Sequence, residues 1–128
     1  MRYILLISLL CLFQLAHAEK TPYSKTNDFS RWFGADEFVQ VLNDIPPNKY
    51  PMIIEAAPLV GDGVVFRVLV KPKPSNNFKY RLAYRASENA FIKKNEAYSK
   101  LGFTLIYHQK VQLMPGKGHQ AVWVKNDL

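Results

Sequence analysis

The sequence predicts an α+β fold in which a helix-plus-β-hairpin unit occurs twice and forms an antiparallel sheet with two helices packed on one face. Three observations carry this expectation. Apolar residues follow a helical period and then a strand period, a turn and a second strand period, and the whole order repeats about fifty residues further on. Both helical stretches have residues suited to starting and stopping a helix. One such unit cannot bury both its helix and its hairpin, whereas two together can.

The chain opens with Arg2, an uncharged apolar stretch from Ile4 to Phe13 and the A-x-A sequence Ala16-His17-Ala18. This is the pattern of a secretory signal peptide over residues 1–18. A flexible mature N-terminus is expected over 19–28, and a single domain over 29–128, with repeats at about 29–73 and 78–126. Cys11, the only cysteine, lies in the signal segment, so the mature chain has no disulfide and no thiolate. A secreted protein, periplasmic or extracellular, is expected. Freedom from cysteine suits a bacterial source better than a small eukaryotic secreted domain.

In "ADEFVQVLNDI", Phe38, Val41, Leu42 and Ile45 share one helical face, with Asp36 and Glu37 in the first turn and Pro46-Pro47 at the end. "YPMIIEAAPLV" reads as a strand, "GDG" as a turn and "VVFRVLVK" as the returning strand, whose Val64, Phe66, Val68 and Val70 would face the helices. "PKPSNN" then connects to "FKYRLAYR". In the second half Ser87 caps "AFIKKNEAYSKL" and Gly102 stops it. "FTLIYHQKVQLM", "PGKG" and "HQAVWVK" form the second hairpin, with Phe103, Leu105, Tyr107, Val122 and Val124 contributing to the helix-facing side. Phe38 matches Phe91, Tyr50 matches Phe103, "RVLVK" matches "AVWVK", and "FSRWF" matches "YRLAY".

This run of aromatic lead-in, helix, Gly-aromatic, strand, turn and "AVWVK" resembles the bacterial tandem repeat domain that accompanies polyglycine hydrolases. The first copy departs from it where Lys49-Tyr50 replaces Gly-aromatic and Leu69 stands where the second has Trp123. The resemblance implies a non-catalytic repeat. No hydrolase domain accompanies it in this sequence, so it carries over no catalytic residues.

Charge is distributed unevenly. Residues 19–70 hold 5 basic and 7 acidic side chains, and residues 71–128 hold 11 basic and 3 acidic, a net of +8. Such asymmetry points to a polyanionic partner. In "FKYRLAYR", Phe78, Tyr80, Leu82 and Tyr84 would face a core, while Lys79, Arg81 and Arg85 would line the outer side. With Lys93 and Lys94 on the second helix and Lys117 in the turn, they form the expected anion-binding set. An anionic membrane surface or phosphoinositide is the leading partner, and a host-directed effector is one setting for it. A protein or cell-envelope polymer adaptor comes second and an enzyme third. Nucleic acid ranks low, because the aromatics needed for base stacking are wanted in the core.

No catalytic residues, metal ligands or cofactor are expected. The serines lack a G-x-S-x-G setting, and "PGKGH" lacks the longer phosphate-loop pattern. Asp36, Glu37 and Asp44 suit a helix start and a solvated face. His108 and His119 could face each other across the second hairpin but read as exposed strand residues.

Overall fold

A computed structural model describes residues 29–59, 61, 63–111 and 118–127. The expected signal segment, residues 19–28, Lys117 and most of the expected second hairpin turn lie outside the described residues. The order is α1 (Ala35–Asn43), β1 (Lys49–Pro58), β2 (Val64–Pro72), β3 (Phe78–Ala86), α2 (Glu88–Lys100), β4 (Thr104–Lys110) and β5 (His119–Asn126). The protein is an α+β fold with antiparallel strands, as its patterning requires. The strands form two ladders instead of one, β1-β2 and β3-β5-β4.

The two halves are more alike than those strand orders suggest. The lead-in segment before α1 bridges β2 at Phe29↔Leu69 and Phe33↔Phe66. Reciprocal backbone hydrogen bonds between Phe33 and Phe66, both 2.8 Å, hold it there. The buried Ser30 adds to this by accepting from the Val68 N–H at 3.0 Å. The first half thus has the order lead-in, β2, β1, and the second repeats it as β3, β5, β4.

Register fixes the equivalence. Phe29↔Leu69 recurs as Leu82↔Val122, and Phe33↔Phe66 as Ala86↔His119. A one-residue bulge between Pro51 and Ile53 of β1 recurs between Leu105 and Tyr107 of β4. Phe38 and Phe91 are equivalent, as expected, but the ladders place Leu69 with Val122, where matching "RVLVK" to "AVWVK" places it with Trp123. A one-residue slip reverses every side chain in a strand. The helix-facing residues of β5 are therefore His119, Ala121 and Trp123, and Val122 and Val124 face the other way.

In the first half, Phe38 and Val41 of α1 pack with Ile54, Ala56, Phe66 and Val68. Phe38 stacks on Phe66 at 5.6 Å and meets Tyr84 of β3 at 5.4 Å. Val122 belongs to this same cluster, and Leu82, Tyr84, Tyr107 and Val124 pack against it. One face of the second sheet thus closes over the first half. Its other face, through Ala83, Ala121 and Trp123, is covered by Phe91 and Tyr98 of α2. Hydrogen bonding joins the halves as well. The Gln109 side chain accepts from the Ala56 N–H at 2.8 Å and donates to its carbonyl at 2.9 Å, filling the role of a neighbouring strand.

Helix α2 is set by its ends. The Ser87 hydroxyl accepts from the Ala90 N–H at 3.1 Å. At the other end Gly102 has φ +88°, the Phe103 N–H bonds the Tyr98 carbonyl at 2.9 Å, and the Gly102 N–H bonds that of Ser99 at 3.1 Å. This is a Schellman stop, completed by contact between Phe103 and Tyr98.

Phe38→Ala is expected to cost about 3–5 kcal/mol in chemical denaturation, since the ring is wholly buried. Phe91 is only partly buried, and Phe91→Ala should cost clearly less. Equal losses would contradict this asymmetry between the halves.

Candidate functional site

The outer row expected on β3 is not continuous. Phe78, Leu82 and Tyr84 do turn inward, but Ala83 is buried under α2, so the opposite face is covered from that position on. Arg85 is diverted by the bulge between Ala83 and Ala86 and has φ +53°. A side chain in this left-handed region needs support. The buried Gln120 supplies it by accepting from the Arg85 N–H at 2.7 Å and donating to the Gly118 carbonyl at 3.1 Å. The Arg85 Nε is buried without a hydrogen-bond partner. Arg85 is therefore a bend residue, and it does not line up with Lys79 and Arg81. Lys93 and Lys94 lie in the middle of α2, the first exposed and the second partly buried.

Lys79 and Arg81 instead join a cluster at the far end of the second sheet. Lys79 lies directly opposite Lys125 on β5. Like charges in that position repel. The Asp127 carboxylate bridges them, at 3.6 Å from the Lys79 Nζ and 3.5 Å from the Lys125 Nζ. The Arg81 guanidinium lies 5.1 Å from the centre of the Phe103 ring, with the Lys125 Nζ 5.9 Å from the same ring. The Lys125 arm passes over Gly102, where a methyl group would come within 3.4 Å of its Cε. Lys100 occupies the last turn of α2 and Leu101, 59% exposed, follows it. Cations at this position also complement the negative end of the helix dipole.

Lys125, Asp127 and Phe103 were not among the expected site residues. The signal was present in the closing lysine of "AVWVK", which comes opposite Lys79 once β3 pairs with β5. A hairpin reading leaves that pairing unseen.

A second cluster forms around the histidines. His108 on β4 is exposed, as expected, whereas His119 is only 5% exposed, which corrects the reading of His119 as an exposed strand residue. His108 Nε2 and His119 Nδ1 are 2.8 Å apart, and the rings are parallel within 7°. Phe91 stacks on both, at 4.0 Å from His108 and 5.3 Å from His119. The helix after β3 and the strand after the turn therefore bring these groups together. Partial loss of hydration lowers the pKa of His108, and His119 and then Lys110 add to the effect.

That depression has a definite sign. A histidine that takes up protons less readily when folded contributes stability above its ordinary pKa and loses it on acidification. Urea midpoints should fall as the pH drops through about 6.5 and below, and His108→Gln should flatten the fall. An unchanged slope would contradict the placement of His108.

No family model matches the chain, and neither a curated protein nor a solved structure matches it.

Proposed function

We propose that this is an exported, non-catalytic binding protein that docks on phosphate-bearing lipid headgroups through Lys79, Arg81 and Lys125 around Phe103. The observation that carries this reading is the Asp127 carboxylate seated between two directly opposed lysines. A group of anionic oxygens belongs at that point, and Asp127 supplies it within the chain. A phosphate carries more charge and can displace an exposed carboxylate. Arg81 presents planar N–H edges suited to phosphate oxygens, and exposed Leu101 gives the same end an apolar contact for shallow insertion. The resemblance to a bacterial repeat that accompanies catalytic domains agrees with a binding role.

The competing reading is a protein adaptor. β4 is an edge of its ladder and carries Leu105 and Ile106 exposed, as strand addition by a partner requires. Salt separates the two readings, because phosphate contacts weaken steeply with ionic strength.

Sedimentation with vesicles containing phosphatidylserine or a phosphoinositide tests the proposal. Lys79→Gln, Arg81→Gln and Lys125→Gln together should weaken binding about a hundredfold, at about 1 kcal/mol per cation. Asp127→Asn should strengthen it. Arg85→Gln should alter the fold's stability more than vesicle binding. A triple variant with native circular dichroism and undiminished binding would overturn the assignment.

A further inference from the structure

The histidine pair occupies a place where the other half of the molecule is purely apolar. By the register of the ladders and their bulges, His108 corresponds to Ile54, His119 to Phe66 and Phe91 to Phe38. Ile54, Phe66 and Phe38 are all completely buried. The fold is thus satisfied by hydrocarbon at these positions, and packing alone does not call for imidazole. Burying the His119 ring there costs stability unless its nitrogens are satisfied, whereas His108 stays exposed on the edge strand. The two rings satisfy one another across 2.8 Å, with Phe91 lying flat over both.

We propose that His108 and His119 form a binding site for a borderline divalent transition ion of the zinc type, with His108 Nε2 and His119 Nδ1 as the protein ligands. The two nitrogens that meet are those that would bind. In the metal-free pair one of them carries the shared proton. When the ion enters, the donating ring takes its other tautomer and its proton moves to the nitrogen away from the metal. Both rings stay neutral and nothing is oxidised or reduced.

Zinc–nitrogen bonds of about 2.0–2.1 Å at a tetrahedral angle put two ligand nitrogens about 3.3 Å apart. The pair must open by about half an ångström and its rings must swing so that the lone pairs converge. His108 can supply that movement, since it lies on the edge strand β4 while His119 is held in the central strand. Among the described residues no group of three or more His, Cys, Asp or Glu side chains surrounds the site, so water completes the coordination. Two protein ligands and the nearby positive Lys110 make this an exchangeable site, weaker than a structural zinc centre.

Isothermal titration of the mature chain with zinc chloride at pH 7.5 tests the proposal. One ion per chain should bind saturably below about 1 mM. His108→Gln, at a site that keeps its fold, should weaken binding at least tenfold. The double variant His108→Ile/His119→Phe installs the first half's own residues. It should fold and lose the site, and only the unsubstituted chain should gain thermal stability when zinc is added. Absence of saturable binding overturns the proposal, as does a His108→Gln variant that binds zinc within twofold of the unsubstituted chain.

Discussion

Burial of β5 on both faces is the constraint from which the rest of the molecule follows. Trp123 and Ala121 point into the layer covered by α2, and Val122 and Val124 point into the core of the first half. With β5 buried on both sides, the water-facing charge on its neighbour β3 stops where Ala83 goes under α2, leaving only Lys79 and Arg81 exposed on that face. Trp123 shows how closely the outer layer is built. Its indole N–H donates to the Asn95 side chain at 3.0 Å, and Tyr98 meets its ring edge-on at 5.0 Å. A wholly buried tryptophan thus has its one polar atom satisfied by the helix that covers it.

Charge and chemistry are accordingly displaced to the margins of that strand. At one end Lys125 leaves the core beside Gly102 and meets Lys79, Arg81 and Asp127. At the other end His119 is still buried but reaches His108 on the open edge. The first half has a different margin. Its outer face carries Arg67, bonded to Glu55 at 3.0 Å and lying over the rings of Phe29 and Trp32 at 4.1 and 4.5 Å. The corresponding face of the second half is closed against the first, where burial and the nearby Glu55 push the Tyr107 pKa up to about 12. Similar halves thus acquire different surfaces because only one of them covers the other.

Helices, hairpins and their order were legible in the sequence because each rests on local chemistry. The Ser87 cap, the Gly102 stop and the Phe38–Val41 face depend on neighbouring residues alone. The assignment of faces in β5 was not legible. "RVLVK" and "AVWVK" are apolar at adjacent positions and match equally well one residue out of register. The bulges that set the true register leave no mark in composition. The same slip hid the site, since Arg85 looks like the third member of an alternating row until the chain is seen to bend there. Gln109 and Gln120 were equally silent, although both replace strand hydrogen bonds that two polar side chains would not be expected to make.

Amide hydrogen exchange along β5 tests two-sided burial most directly. If β5 is the shared centre of one cooperative unit, the amides of Val122, Trp123 and Val124 should be among the slowest in the chain. They should exchange only with global unfolding and at the same free energy as the slowest amides of β2. Exchange of β5 at a markedly lower free energy than β2 would mean that the second half opens by itself. That result would contradict the account of one core closed by the central strand.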